Sequence, residues 1–448
     1  MSSTSTIAPS VDVLNLRGLK TRNHDAALRD QIVQNFLQAE KKWLVDESGN
    51  RLTWTKSFPI AALYEGDGIS LYEDITRSDG YYLYREEISI IHDNKTVIAS
   101  CLLDQTDGDL AKSRVAAAYK VEGAIQKKRS RQDSAIEDSS STRTNWTDSL
   151  SRSLHLSVID MGAGRPDKAL VLLEALHSQM IAHRDDRAGF TASYYAVDLQ
   201  HDDLRIRLAN AVKSKPFLCS EDSKPETASS GPKIDVHGVC ASYLDALEAL
   251  NFRFSQAPAF NSGETEHRKC LLWLGSSFTN FEPGEAVALL RSFAHTAELR
   301  SRDCILIGID CCQDPHRLSA AYGSQSAQWR KYAQNGIRNA ANILGNEASI
   351  KMQSAGEWEY VARWDALRKR HVRFMKAPRN MSFDVAVDQC SKSKCSIKIC
   401  KGEHIFLSQS YKYDHRELEM LFRDAGLVVS NEWSNERGDS LLFLLTKM

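Results

Sequence analysis

The sequence lacks a long hydrophobic run. No apolar stretch in its 448 residues approaches the roughly eighteen residues that a membrane-spanning helix needs. The first ten residues, MSSTSTIAPS, also lack the basic start and the apolar segment of a secretory signal peptide. We therefore expect a cytoplasmic protein that has no membrane partner.

An excess of charge of either sign is also missing. Lysine and arginine total 57, against 58 aspartates and glutamates. A balanced chain has no general attraction for the phosphate backbone of nucleic acids or for an anionic surface. We therefore expect no nucleic-acid partner and favour a small-molecule substrate, while the sequence leaves the oligomeric state open.

The ten cysteines lack the spacing of a metal site. Cys390, Cys395 and Cys400 follow one another at five-residue steps, whereas zinc knuckles use pairs of cysteines separated by two residues. Cys270 and Cys304 lie inside apolar runs, as buried reduced thiols do. We predict reduced thiols and no metal ion.

Alternating strand and helix signals begin after residue 150. Apolar segments predict strands, and each is followed by a segment with helical periodicity. The strand segments are HLSVIDMG, SYYAVDL, VHGV, KCLLWLG and CILIGID, and the helices are predicted at 168–183, 202–212, 243–251 and 283–298. This alternation predicts an α/β fold of the Rossmann type, in which helices cover both faces of a mostly parallel sheet.

The flanking segments have a different pattern. Helices are predicted at 28–43 and 325–343, and several tyrosines are concentrated between residues 64 and 84. A hairpin near 391–394 precedes a strand, a helix and two strands between 405 and 445, and we expect the last strands to complete the first sheet. Two polar segments, 127–148 and 219–232, have the composition of surface inserts.

The first strand-to-helix connection carries a Gly-x-Gly turn formed by Gly162 and Gly164. Such a turn lets a ligand approach the backbone at the carboxyl edge of the sheet. A dinucleotide fingerprint needs a third glycine, but Asp167 stands at that position, which disfavours a pyrophosphate. An acid at this position is compatible with S-adenosylmethionine, which carries a positive sulfonium and an amino group. Lys168 could pair with its carboxylate, and Asp198, at the end of the next strand, could accept bonds from both ribose hydroxyls.

Polar residues also follow a later strand, in the segment WLGSSFTNF at 273–281. The amide of Asn280 offers both a donor and an acceptor to the head group of an amino acid. Because open α/β sheets bind ligands at this edge, we expect Asn280 to face the substrate.

Six ordered blocks resemble the histidine-specific methyltransferase family, and the fungal members in particular. The blocks are LYEGDGISLYEDITRSDGYYLYREE, VIDMGAGRPDKALVLLEAL, YYAVDL, LLWLGSSFTNFEPGEA, ILIGIDCCQDPHRLSAAY and SQSYKYDHRELEMLFRDAGL. Members of this family N-methylate the α-amine of histidine on the way to ergothioneine, or methylate prenylated tryptophan in ergot alkaloid pathways. The resemblance implies an S-adenosylmethionine-dependent N-methyltransferase that acts on an amino acid or a related small amine in specialised metabolism.

The resemblance also implies domains and site residues. A cofactor-binding domain would occupy 85–311, a smaller α+β substrate-binding domain would combine 11–84 with 312–413, and 414–448 would complete the Rossmann sheet. By position, the cofactor would contact Tyr81, Gly162, Gly164, Lys168, Asp198 and Val239. The substrate would face Tyr64, Asn280, Tyr322, Ser408 and Ser410. Tyr64 would orient the reacting amine, while Asn280 and Tyr322 would hold the carboxylate.

Three positions depart from the family pattern. Ser408 stands where bacterial histidine enzymes have a glutamate that holds the imidazole, and a neutral serine cannot give that charge-assisted bond. Thr279 replaces a glycine beside the substrate asparagine, and Val239 with Cys240 replaces an Asp-Phe pair near the adenine. We therefore expect a substrate other than histidine, with an aromatic or otherwise apolar side chain such as that of tryptophan.

Three alternatives stay open from the sequence. The cofactor could serve O-methylation or transfer of its aminocarboxypropyl arm, the chain could be a catalytically silent regulatory protein, or the fold could bind a dinucleotide for oxidoreduction.

In the favoured mechanism a neutral nitrogen attacks the sulfonium methyl in line, which depends on near-attack geometry more than on a strong base.

Overall fold

A sheet of nine strands is the largest element of the computed structural model, which describes residues 11–16, 21–38, 40–103, 153–182, 189–220, 231–257, 265–386 and 394–448. In chain order the strands of the protein are β1 (Val13–Asn15), β2 (Lys42–Val45), β3 (Arg51–Trp54), β4 (Ser153–Met161), β5 (Phe190–Asp198), β6 (Leu218–Cys219), β7 (Ile234–Cys240), β8 (Thr265–Trp273), β9 (Cys304–Asp310), β10 (Glu359–Asp365), β11 (Arg370–Lys376), β12 (Met381–Ala386), β13 (Lys394–Ile399), β14 (His404–Tyr411), β15 (Leu427–Ser434) and β16 (Ser440–Lys447).

The large sheet is mostly parallel. β1, β7, β5, β4, β8 and β9 lie side by side in this order and run parallel, and β6 pairs with β7. β16 joins antiparallel to β9, and β15 pairs with β16. The order of the strands reverses between β4 and β8, which is the switch point where open α/β sheets bind ligands. The predicted Rossmann-type fold class is confirmed, whereas the predicted domain limits stay predictions.

Helices cover both faces of this sheet. A parallel sheet that is covered on both sides exposes neither face of its strands. Every residue of β4 from 156 to 161 is therefore buried. In chain order the helices are α1 (Thr21–Leu37), α2 (Ala61–Tyr64), α3 (Gly68–Arg77), α4 (Tyr82–Leu103), α5 (Asp167–Ala182), α6 (His201–Ser214), α7 (Tyr243–Gln256), α8 (Pro283–Thr296), α9 (Pro315–Tyr322), α10 (Ala327–Leu344), α11 (Asn346–Gln353) and α12 (His415–Asp424).

Smaller antiparallel sheets form a second, α+β part. β10, β11 and β14 make a three-stranded sheet, while β12 pairs with β13 and β2 pairs with β3. One apolar core joins this part to α1, α2 and α10, for example through Ile32, Leu63 and Ile337. Two further apolar clusters flank the large sheet. These additional sheets fit a second domain beside the Rossmann sheet.

The helix predicted at 28–43 is wrong at its C-terminal end. α1 ends well before Trp43, which lies in β2 and pairs with β3 across a tight turn. In this turn the carboxylate of Asp46 accepts hydrogen bonds from the amides of Ser48 and Asn50, and Gly49 has a φ of +79°. The local turn chemistry of aspartate and glycine outweighs the helical periodicity.

Some predictions lie outside the described residues. These include the polar segment 127–148, most of the segment 219–232, Cys390 and most of the tip of the hairpin near 391–394, whose two strands are β12 and β13. Within the described ranges, no helix has the length and apolar character needed to cross a bilayer. In the same residues no disulfide links the cysteines, and no cluster of three His, Cys, Asp or Glu side chains is arranged to hold a metal ion.

Candidate functional site

The Gly-x-Gly turn follows β4 at the switch point of the sheet. Gly162 and Gly164 have φ values of +81° and +45°, in the left-handed region that glycine adopts without strain. A Cβ at Gly162 would lie 2.8 Å from the hydroxyl of Tyr243, so there is no room for a side chain. Because Gly162 itself is exposed, its backbone is accessible at the carboxyl edge of the sheet.

Asp198 ends β5 directly beside this turn. Its carboxylate accepts hydrogen bonds from the amides of Gly164 at 2.9 Å and of Leu199 at 2.6 Å. Burial raises the pKa of Asp198, although the backbone donors favour its ionised form. A carboxylate has about four acceptor sites, so these amides do not saturate it. Asp198 can still accept a hydrogen bond from a hydroxyl group of a ligand.

An ion pair lies on the other side of the turn. Lys168, in the first turn of α5, pairs with Glu87 of α4. The buried carboxylate of Glu87 also accepts from the amide of Gly275, with N to O distances of 2.9 and 3.0 Å. A Cβ at Gly308 would lie 1.7 Å from Glu87, so the glycine makes room for this acid. A cation and an anion therefore meet where β4 and β8 end.

Sequence reasoning missed Glu87, but a signal for it existed. The acid occupies the buried face of α4 together with Leu83, Ile90 and Ile91. Glutamate is almost never fully buried unless it has a partner. A lone acid on the apolar stripe of a helix that precedes a Gly-x-Gly turn is therefore a candidate site residue.

These groups fit S-adenosylmethionine, whose methionine part carries a carboxylate, an amino group and a sulfonium. Lys168 offers a cation for the carboxylate, and Glu87 offers an anion for the amino group. Asp198 offers an acceptor for the ribose, and the open turn at Gly162 offers close approach to the backbone. The role of each residue stays a prediction, but the chemistry of the set matches this cofactor.

Val239 lies near the end of β7 and belongs to the apolar core. Its buried side chain is part of the same cluster as Met161, Val197 and Leu247. The side chain therefore offers no polar group to an adenine. A contact with the cofactor at this position would have to come from the backbone, and this role also stays a prediction.

A cavity with aromatic walls opens beside the carboxyl edge of the sheet where Gly162, Lys168 and Asp198 lie, a region termed the cofactor edge after its predicted ligand. It is partly open to solvent. Its lining brings together the predicted residues Tyr64, Tyr81, Asn280, Tyr322, Ser408 and Ser410. Gly275 and Ser276 also line it, and the amide of Gly275 donates to Glu87. One segment of chain is therefore shared by the cofactor edge and the cavity.

The tyrosines of the cavity form a connected wall. The hydroxyls of Tyr72 and Tyr81 lie 3.2 Å apart, and the ring of Tyr64 packs edge-on against Tyr72 and Tyr332 with centroid distances of 5.7 and 5.8 Å. Burial raises the pKa of Tyr64 and of Tyr81. These hydroxyls stay protonated at neutral pH, so they can orient a ligand but cannot serve as its base.

Asn280 ends the short 3-10 helix Ser277–Asn280, which follows β8. Its half-buried side chain borders the cavity. The preceding residue, Thr279, is fully buried. Its hydroxyl donates to the carbonyl of Ser276 at 2.8 Å and lies 3.1 Å from the hydroxyl oxygen of Ser410. The threonine that departs from the family pattern therefore supports Ser410, a member of the cavity wall.

A buried ion pair supports the same wall and was also missed. Lys412 pairs with Asp310, and its ammonium donates to the hydroxyls of Ser410 at 2.9 Å and Tyr322 at 3.3 Å. Although burial disfavours the charged form, the facing carboxylate raises the pKa of Lys412. The hydroxyl of Tyr82 donates to Asp310 at 2.9 Å. The position of Asp310 at the end of β9, like that of Asp198 at the end of β5, could have identified it.

The family described as histidine-specific methyltransferase, SAM-dependent, matches residues 33–123 and 140–447. Both the glycine turn and the residues of the cavity fall inside these ranges. The match therefore covers the cofactor edge and the aromatic cavity together.

Three curated fungal proteins are similar in sequence. Ergothioneine biosynthesis protein 1 of Neurospora crassa is 28% identical over 391 residues, which cover 86% of this chain and 33% of that protein. N-methyltransferase imqF of Aspergillus flavus is 26% identical over 282 residues, 63% of this chain and 65% of that protein. A 4-dimethylallyltryptophan N-methyltransferase of Arthroderma benhamiae is 22% identical over 396 residues, 88% of this chain and 90% of that protein. The chain thus spans only part of the first two.

Proposed function

Because the chain belongs to the family of histidine-specific, S-adenosylmethionine-dependent methyltransferases, we propose that it methylates the α-amine of an amino acid or a related small amine in specialised metabolism. It is an enzyme that uses S-adenosylmethionine. The proposal rests on the segment of Gly275 and Ser276, because both residues border the cavity. The amide of Gly275 also donates a hydrogen bond to Glu87, the acid that pairs with Lys168. Transfer of a group between two bound molecules needs two such adjoining sites.

The residues of the cavity divide into positioning roles. The cofactor supplies an electrophilic methyl group when bound. Asn280 and Tyr322 would hold the carboxylate of the substrate, and Ser410 would add a hydroxyl beside them. Tyr64 would accept a hydrogen bond from an N–H of the amine and so leave its lone pair free and directed at the methyl group. Because burial raises the pKa of Tyr64, the amine must arrive neutral or lose its proton to water.

The walls of the cavity favour an aromatic substrate. Tyr72, Trp329 and Tyr332 line it together with the predicted tyrosines, and such rings prefer edge-on or offset contacts with another ring. Ser408 is neutral, so it cannot provide the charge-assisted bond that favours an imidazole. The relative from Arthroderma benhamiae is named for a tryptophan derivative. These observations support a tryptophan-like substrate in preference to histidine.

Product masses test the proposal. The protein is incubated with methyl-labelled S-adenosylmethionine and a panel containing histidine, tryptophan, phenylalanine and prenylated tryptophan. We expect a mass increase of one or more methyl groups on the amine of an aromatic substrate, located by fragmentation. Methylation of oxygen, or a mass increase that corresponds to the aminocarboxypropyl arm, contradicts N-methylation. Calorimetric binding of the cofactor without any product contradicts the proposed activity.

A further inference from the structure

Arg373, in the middle of β11, is a buried cation in the wall of the cavity. It is 4% exposed and lines the cavity. Its Nη2 donates to the carbonyl of Gln409 at 2.8 Å, whereas its buried Nε has no hydrogen-bond partner among the described residues. A buried donor of a charged group that lacks an acceptor is unfavourable. An acceptor that arrives with a ligand would remove this cost.

Other buried cations near the cavity have carboxylate partners. Lys412 pairs with Asp310, and Lys168 pairs with Glu87. Arg373 forms no ion pair within the described part of the chain, although buried charges are normally paired. The wall of the cavity therefore carries one positive charge without an anion to balance it.

The guanidinium of Arg373 lies over two aromatic rings of the cavity wall. Its central carbon lies 4.9 Å from the ring centroids of both Tyr322 and Trp329. Arginine that stacks on aromatic faces keeps its N–H edge free for a carboxylate in the same plane. The tyrosine and the tryptophan therefore orient the cation without using its donors.

Arg373 lies beside Ser408 in the wall of the cavity. Arg373 is the direct cross-strand partner of Ser408 on β14, and the next pair along these strands on the same face is His371 with Ser410. Burial, with the charges of Arg373 and Lys412 added, lowers the pKa of His371 well below its ordinary value, so its imidazole is neutral. Arg373 is therefore the charged member of this face beside Ser408.

We propose that Arg373 binds a carboxylate on the side chain of the substrate, and that among aromatic amino acids the enzyme prefers those whose side chain also carries such a group. The inference rests on the proposed function, because it assigns the specificity of the same cavity. Ser408 adds a hydroxyl donor beside the guanidinium. An aromatic ring between the two carboxylates of the substrate would contact the tyrosine wall.

Matched substrate pairs test this preference. Phenylalanine is compared with 4-carboxyphenylalanine, and norleucine with 2-aminoadipate, because the members of each pair differ chiefly in the distal carboxylate. We expect kcat/KM to favour the carboxylate member by about tenfold or more, since bonds between charged partners are the strong ones. In Arg373→Met this ratio should fall to about one or below, while the affinity for S-adenosylmethionine measured by calorimetry is retained.

A control and a second variant separate specificity from folding. Arg363→Met removes a half-exposed arginine of the neighbouring strand β10 and should keep the wild-type ratio. Ser408→Glu places a carboxylate opposite Arg373, so it should lower the kcat/KM of the carboxylate member relative to that of the neutral member. Equal kcat/KM for both members in the wild type overturns the inference. An equal loss for both members in Arg373→Met also overturns it, because Arg373 would then act on the common α-carboxylate.

Binding measurements make the test independent of turnover. The same pairs are titrated into protein saturated with S-adenosylhomocysteine. Tighter binding of the carboxylate member, lost in Arg373→Met, supports the inference even if no amine is methylated, in which case the proposed function alone fails. Equal binding of both members contradicts the inference whether or not product forms.

Discussion

Lys412 and Asp310 form an ion pair whose side chains are 0% and 2% exposed. The ammonium also donates to Ser410 and to Tyr322, two residues of the cavity wall. The carboxylate accepts from the hydroxyl of Tyr82. The pair thus links the end of β9 to the end of β14, which places the Rossmann sheet and the three-stranded sheet in a fixed relation at the cavity.

Removal of the lysine should strongly destabilise the protein. In Lys412→Met, Asp310 would remain as a buried charge without its partner, and breaking such pairs costs about 3–5 kcal/mol. We expect a loss of this size in the free energy of unfolding, measured by urea denaturation. Lys369→Met is the control, because that lysine is 37% exposed in its pair with Asp414 and should cost less than about 1 kcal/mol. Similar losses in both variants would contradict this role of Lys412.

The glycine turn should not tolerate a side chain. Gly162→Ala would force a residue with a Cβ into a φ of +81° and place that Cβ 2.8 Å from the hydroxyl of Tyr243. Gly438→Ala is the matched control, since its φ is +69° but no atom lies within 4 Å of a Cβ there. Both variants should lose about 1 kcal/mol from backbone strain. Only Gly162→Ala should also weaken the binding of S-adenosylmethionine in calorimetry, and unchanged affinity would contradict a role for this turn.

The sequence was sufficient for the central parallel strands of the large sheet. These strands contain apolar runs, and the helices between them have clear periodicity, so α5 and α8 differ from the predicted segments by at most two residues at either end. The start of α8 is set by local chemistry, with Pro283 in the first turn and a capping box formed by Glu282 and Glu285. Such signals depend only on residues close together in the chain.

The partners of the buried charges could not be predicted in this way. Glu87 and Lys168 are 81 residues apart, and Lys412 and Asp310 are 102 residues apart. The sequence places each residue on an element, but it does not specify which elements meet in space. Arg373 was missed for a further reason. The alternation of residues along β11 predicts on which face of the strand Arg373 lies, but it does not predict that no carboxylate of the described residues pairs with its charge.

Asp198 should contribute to cofactor affinity through its charge. Asp198→Asn keeps the size of the side chain but replaces one acceptor oxygen by a donor that would face the amide of Gly164. Hydrogen bonds to charged groups contribute about 1.5–3 kcal/mol, so we expect roughly a tenfold to hundredfold weaker binding of S-adenosylmethionine. Isothermal titration calorimetry measures this change. Asp74→Asn, at an exposed position of α3, should leave the affinity unaltered.

Asn280 should act on the substrate and not on the cofactor. Its amide borders the cavity, whereas Lys168 and Asp198 lie at the cofactor edge. Asn280→Ala should therefore raise KM or lower kcat for the amine, by roughly tenfold if one hydrogen bond to a carboxylate is lost. The affinity for S-adenosylmethionine should change little. Unaltered steady-state kinetics in the presence of saturating cofactor would exclude this role.

Asp160, at the end of β4, should make stability depend on pH. Burial raises the pKa of its carboxyl to about 7, although the hydroxyl of Tyr194 donates to it at 2.8 Å. Between the ordinary value near 4 and this raised value, the folded protein keeps a proton that the unfolded chain has lost. The contribution of Asp160 to the free energy of unfolding therefore falls as pH rises through this window, by at most about 1.4 kcal/mol per pH unit, and is constant above it.

Asp160→Asn isolates this contribution, because asparagine resembles the protonated acid and does not titrate. The unfolding free energy of the wild type minus that of the variant should decrease between pH 5 and pH 7, as measured by urea denaturation. Burial lowers the pKa values of His155 and His267, so these histidines make the free energy of unfolding rise with pH. The wild type and Asp160→Asn share this contribution, and it therefore cancels in the difference between them. Asp414→Asn is the control: backbone and lysine donors lower the pKa of Asp414, so it is ionised throughout this range and its difference should be constant. A constant difference for Asp160→Asn as well would show that its carboxyl is ionised in the folded protein from pH 5 upwards.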